Sequence, residues 1–205
     1  MKRYLGAAAV LVAITLAAPG LAAAHGKHRA ANAQKGHPMS DTQFMREAAI
    51  GGMAEVDLGK IGVQRAESPD VKQFAQRMVD DHSKANDELK QVAQKRGVAL
   101  PGDVDAKEKA TIDRLSKLSG PAFDKAYMRD MVNDHVKDVS LFEHQSTSRK
   151  DADLKAWIDQ TLPTLKEHKD MAKDVAAKVG AEPGSRHGAT TRPGRNASQM
   201  SSTAK

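Results

Sequence analysis

At 205 residues the chain has room for one domain, or one domain with tails, and a composition only 3% aromatic suits a helical bundle rather than a sheet. The sequence contains no cysteine, which excludes disulfides, iron–sulfur clusters and covalently attached haem. Its net charge of +6 is modest and scattered, which speaks against a nucleic-acid partner.

Residues 1–24 read as an export signal. Lys2 and Arg3 precede an apolar run from Leu5 to Ala18, Pro19-Gly20 breaks it, and Ala22-Ala23-Ala24 offers a small-residue cleavage site before His25. The run is shorter than the ~20 residues a spanning helix needs. The expected location is therefore the periplasm after cleavage near Ala24, with a retained membrane anchor as the alternative. Residues 25–39 form a flexible leader without apolar periodicity. Its His25, His28 and His37 are loose metal-catching groups or, by preference, parts of a solvated linker.

The bundle domain, residues 40–180, opens at an expected capping box of Ser40 and Gln43. The first helix carries the seam Phe44, Ala48, Gly51, Glu55, Leu58, Gly62, and Gly51, Gly52, Gly59 and Gly62 suggest a close-packed neighbouring backbone. Ser68-Pro69-Asp70 is a short turn with Ser68 as the N-cap of a second, antiparallel helix. That helix shows the seam Val71, Ala75, Met78, His82, Ala85, Leu89, Val92, and Gly97 is its expected stop. A crossing loop, Val98 to Asp105, leads to a short extra helix from Ala106 to Leu118. The third long helix starts at Pro121 with the seam Met128, Val132, His135, Val139, Phe142. After a polar turn from Ser146 to Lys150, the fourth reads Leu154, Ile158, Thr161, Leu165, His168, Ala172, Val175, with a kink expected at Pro163. Residues 181–205 form a disordered basic tail, which could touch an anionic surface or an envelope protein.

A pentapeptide occurs twice, as Met78-Val79-Asp80-Asp81-His82 and Met131-Val132-Asn133-Asp134-His135, each with a lysine two residues on, Lys84 and Lys137. The repeat suggests two similar helical hairpins facing each other. Each long helix places one titratable side chain in its apolar stripe: Glu55, His82, His135 and His168. Measured from their turns, Glu55 and His82 should be level, whereas His135 and His168 should differ by roughly 6 Å, about one turn. Carboxylate plus imidazole in a bundle core is the donor set of a transition-metal site for zinc, copper or iron. Asp81, Asp134 and Glu167 each precede a seam histidine, so they are additional ligands, outer partners of the imidazoles, or plain surface charges.

The residues Phe44, Gly51-Gly52-Met53-Ala54-Glu55, Ser68 with Val71 and Phe74, Asp81-His82, Pro101, Gly120 with Phe123-Asp124 and Tyr127, His135, and Leu162-Pro163 with His168 give the chain a family likeness. From about Ser40 to Val179 it resembles the exported bacterial family catalogued as domain of unknown function 4142, placed with the ferritin-like bundles. The resemblance implies an all-α, ferritin-like antiparallel four-helix bundle and no particular activity. One departure bears on chemistry: the Glu-x-x-His pair of di-iron bundles is missing, since Val79, Val132 and Leu165 stand three residues before the three histidines. Two functions compete on the sequence. One is a metal-binding periplasmic bundle; the other is a metal-free envelope or stress-related binding protein with a buried polar network. Di-iron oxidase chemistry is disfavoured, and no catalytic residue is assigned.

Overall fold

A computed structural model describes residues 39–148 and 151–181. The expected signal, leader and tail lie outside the described residues, apart from Met39 and Ala181 at their borders. The described part holds five helices: α1 (Asp41–Arg65), α2 (Pro69–Lys95), α3 (Ala106–Leu115), α4 (Gly120–Ser148) and α5 (Ala152–Lys178). The fold is an all-α bundle of two antiparallel hairpins, α1–α2 and α4–α5, joined chiefly where α2 packs on α5. The short α3 lies against both α1 and α4 and covers the seam between them. None of these helices is long and apolar enough to cross a membrane.

The helix ends follow local chemistry, with four corrections. Ser40, Asp105 and Asp151 each cap a helix by accepting from the backbone N–H three residues on. The capping box at Ser40 is half-formed, because Gln43 donates to Glu47 instead of reaching back. Ser68 makes no side-chain cap. The buried Asp124 carboxylate of α4 replaces it, accepting from the backbone N–H groups of Glu67 at 3.1 Å and Ser68 at 2.9 Å. This ties the first hairpin's turn to the second hairpin. Gly97 (φ 64°) ends α2 in the left-handed conformation that suits glycine. Val98 N–H reaches Ala93 C=O and Gly97 N–H reaches Gln94 C=O, the two bonds of a Schellman stop. The extra helix ends at Leu115, short of the expected Leu118, and α4 runs through the expected polar turn to Ser148. The α-helix α5 is continuous through Pro163.

Gly59 and Gly62 explain how closely α1 sits on α2. A Cβ on Gly59 would lie 2.8 Å from the Ala75 carbonyl oxygen, and one on Gly62 would lie 2.6 Å from the Ala75 methyl. Gly51 plays no such part: it is exposed and a methyl there would meet nothing.

The apolar core divides in two. One cluster gathers Phe74, Met78, Phe123, Tyr127, Met128 and Met131; the other gathers Phe44, Leu89, Phe142, Leu154, Trp157 and Ile158. In the second, Phe44 meets Phe142 edge-on at 5.3 Å, a geometry worth about 0.5–1.5 kcal/mol beyond buried area. Along α2, α4 and α5, the residues at the boundary between the clusters are His82, His135 and His168.

Candidate metal centre

His82, His135 and His168 meet at that boundary. They are 7%, 0% and 1% exposed. Their ring centroids are 5.7 Å apart for His82–His135, 5.2 Å for His82–His168 and 5.4 Å for His135–His168. One ring nitrogen from each lies within 4.8 Å of the other two.

The expected one-turn mismatch between His135 and His168 does not separate them. His135 stands 13 residues before the end of α4 and His168 stands 16 after the start of α5. That offset is about 4.5 Å along the axis. Side chains on a helix lean toward its N-terminus. In this antiparallel pair, His135 leans away from the connecting turn and His168 leans toward it, so the two rings converge.

The hydrogen bonds fix two of the three tautomers. His135 Nδ1 lies 2.9 Å from the Met131 carbonyl, which can only accept, so Nδ1 carries the proton. His168 Nε2 donates to Asp81 Oδ2 at 2.8 Å. The bare nitrogens are then His135 Nε2 and His168 Nδ1, and both are buried without a partner, as is His82 Nε2. Burial, then His135 and His168, holds the His82 imidazole well below its usual pKa. Burial, then His168, lowers His135 to about 4 despite the Met131 bond. Burial also lowers His168, against the opposing pull of Asp81. All three rings are therefore neutral at pH 7, the state in which imidazole ligates.

The flanking acids separate into different roles. Asp81 receives both His168 Nε2 and Arg77 Nε, at 2.8 and 3.1 Å. Partial burial raises its pKa, but those two hydrogen bonds outweigh it and the carboxyl ends below its ordinary value. A carboxylate in this position is the kind of outer partner that orients a ligating histidine in metal sites. Glu167 does not reach the imidazoles; it is exposed and paired with Arg77 Nη2 at 2.8 Å. Asp134 is paired with Lys137 at 2.9 Å on the helix surface. A residue beside an apolar stripe is 100° round the helix from it, so whether it reaches the core depends on the neighbour at that angle.

Glu55 is buried, at 5% exposure, but falls outside the three-histidine group. A height estimate carries no azimuth: its carboxyl interacts electrostatically with Asp138, Asp134 and Asp130 of α4 and with Tyr127. Burial first, then Asp138, raises its pKa well above the usual value, and Oε2 has no partner. Burial and then Glu55 raise that of the buried Tyr127 hydroxyl.

A cavity of about 380 Å³ opens beside the centre, lined by parts of all five helices, with His82 among its walls. Asp138 also lines it, and burial followed by Asp134 pushes its carboxyl up to about 7. Sequence reasoning missed Asp138, which stands with Lys137 between Val136 and Val139 and beside the His135–Val139 seam. It also missed the Met131 carbonyl, which no side-chain pattern announces.

A family model described as a domain of unknown function, DUF4142, matches residues 26–175. The chain belongs to this family. No curated protein matches this DUF4142 chain significantly. Two solved structures resemble it: CopM in the Cu(I)-bound form, at 17% identity and TM-score 0.58, covers 69% of this chain and 98% of its own. CopM in the Cu(II)-bound form, at 19% identity and TM-score 0.57, covers 67% and 96%. At such identity the likeness shows the shared bundle fold.

Proposed function

We propose that this DUF4142 protein is a metal-holding protein of the cell envelope, binding one transition-metal ion through His82 Nε2, His135 Nε2 and His168 Nδ1. A count of protons carries the reading. His135 and His168 direct their N–H groups outward, to Met131 and Asp81. None of the three inward nitrogens has a protein partner, and even with His82 turned to donate inward the protein's own groups leave at least one buried lone pair unsatisfied, at about 1–3 kcal/mol. One cation satisfies all three.

The dimensions are compatible with this. Three atoms within 4.8 Å of one another fit a circle of radius at most about 2.8 Å, against metal–imidazole bonds of about 2.0–2.1 Å. Closure needs under an ångström of movement per side chain. Three imidazoles without a carboxylate suit copper or zinc better than ferrous iron, whose open sites commonly take two histidines and a carboxylate. With no carboxylate in the group and no Glu-x-x-His, the donors also fit a di-iron centre poorly. The copper-bound forms of the structural neighbour make copper the first ion to test.

The test is a melting curve of chelator-treated protein with and without cupric, zinc and ferrous ions. At a free concentration one hundred times Kd, an ion bound only by the folded state adds about 2.7 kcal/mol. His82→Ala is expected to abolish the rise. A wild type indifferent to all three ions and to chelator refutes the proposal in favour of a metal-free role.

A further inference from the structure

The Asp81 side chain is 32% exposed, so its carboxylate can turn to water as readily as to an imidazole. Arg77, one turn earlier on α2, keeps it turned to the ring. Arg77 Nε donates to Asp81 Oδ2 at 3.1 Å, and its Nη2 donates to Glu167 Oε2 of α5 at 2.8 Å. His168 Nε2 donates to the same Asp81 oxygen at 2.8 Å, and Glu167 is the residue just before His168. One guanidinium thus spans α2 and α5 where the carboxylate meets the ring. Stability does not explain this arrangement. Arg77 and Glu167 are both exposed, and exposed ion pairs stabilise a fold little. Arginine before aspartate is also the less favoured order along a helix. The repeated pentapeptide isolates what Arg77 adds. Asp130 stands at the matching place before the second copy and pairs with Arg114 of α3, while Asp134 pairs with Lys137 of its own helix. The copy preceded by arginine is the one whose aspartate holds an imidazole of the centre.

We propose that Arg77 is a positioning residue: its two-pronged grip on Asp81 and Glu167 holds the Asp81 carboxylate against His168, fixes the ring proton on Nε2 and leaves Nδ1 bare for the metal ion. The use of that bare nitrogen rests on reading the three histidines as ligands; the placement of the proton does not. A second role for Arg77 would have the opposite sign. As a plain positive charge near a cation site it repels the ion, and removing it strengthens binding. As a clamp it keeps a ligand organised, and removing it weakens binding. Lysine separates the two, because its ammonium carries the same charge as a point and lacks the planar fork of donors. Arg77→Lys therefore tests geometry at constant charge, and Arg77→Gln removes both.

The test joins nitrogen NMR of the metal-free full chain at neutral pH to titration with zinc chloride and cupric chloride. The ring-nitrogen shifts distinguish the two neutral tautomers of a histidine. The His168 signal, identified by its loss in His168→Gln, should show Nε2–H alone in the wild type and a mixture with Nδ1–H in both Arg77 variants. Kd should rise about three- to tenfold in both, less than the roughly 10–100-fold that loss of an outer carboxylate costs. On an Asp81→Ala background Arg77→Gln should weaken binding no further, because it acts through that carboxylate. The melting temperature of the metal-free protein should move by less than about 3 °C, as for other exposed ion pairs. A His168 tautomer unchanged in both variants overturns the positioning role, whether or not metal binds. Tighter binding in Arg77→Gln with wild-type binding in Arg77→Lys also overturns it and leaves Arg77 a repelling charge. Weakening that persists on the Asp81→Ala background overturns the route through Asp81. A tautomer that shifts as expected in a protein that binds neither ion upholds the placement of the proton by Arg77, and the metal reading alone falls.

Discussion

Replacing His82 by leucine separates a ligand from a structural histidine. In the metal-free protein His82 Nε2 is buried without a hydrogen-bond partner, so the native side chain costs about 1–3 kcal/mol of stability. Leucine occupies similar space between Met78 and Leu89, both fully buried, and removes the orphaned nitrogen. His82→Leu should therefore raise the stability of the metal-free protein by about 1–3 kcal/mol, or some 3–10 °C in melting temperature. The same variant should lose the metal-dependent rise, which for the wild type reaches about 2.7 kcal/mol at one hundred times Kd. A protein that gains intrinsic stability and loses its response to metal has exchanged function for packing. Urea unfolding with and without chelator measures both quantities. A His82→Leu protein destabilised by more than about 1 kcal/mol without metal refutes the reasoning, because the imidazole must then be satisfied in the native state.

Asp81→Ala removes the acceptor that orients His168 and should weaken metal binding about 10–100-fold at unchanged stoichiometry, read by calorimetric titration. Glu55→Gln should leave the metal affinity within about threefold and raise the melting temperature at neutral pH, since it removes a carboxyl whose ionisation burial and the α4 acids oppose. Gly62→Ala drives a methyl into Ala75 and against the Tyr127 ring, and should cost about 1–3 kcal/mol in a denaturant melt. The metal-free protein should also respond to acid. His135 has a folded pKa of about 4 against about 6.5 unfolded, so its contribution is complete above pH 6.5 and lost as pH falls from 6.5 to 4, by about 3 kcal/mol. The raised Asp138 carboxyl runs the other way, its contribution present below about pH 4 and lost as pH rises through 7, and screening at this half-buried position reduces it. Asp138→Asn should therefore steepen the acid-side loss; a flat profile between pH 4 and 6.5 in that variant refutes the assignment.

The helices and the heights of their polar intrusions were legible because both follow from spacing. Steps of four and three from Met78 through His82 and Ala85 to Leu89 put an imidazole in an apolar stripe whatever the neighbours are. Partners at an angle to the stripe were not legible. Glu55 lies outside the three-histidine group, and the charges acting on it include Asp138, Asp134 and Asp130 of α4. Ser68 looks like a cap in sequence, yet the carboxylate that holds the turn comes from Asp124, 56 residues away. Such contacts depend on how two hairpins dock, and no local pattern encodes that.

The repeated pentapeptide shows the same limit. Its copies sit on α2 and α4, the second helix of one hairpin and the first helix of the next, so they are not equivalent positions of two facing hairpins. Both histidines reach the centre because a seam residue points inward on any helix of a bundle. The aspartates beside them diverge. Asp81 lies on the side of α2 that meets α5, and finds His168 there. Asp134 lies on α4, where it pairs with Lys137 of its own helix and adds to the negative charge felt by Asp138 and Glu55. One sequence thus yields an orienting hydrogen bond in one copy and a charged wall in the other. The three histidines are assembled by periodicity; the docking of the hairpins decides which ring nitrogen His168 leaves bare, and the Met131 carbonyl of its own helix decides it for His135.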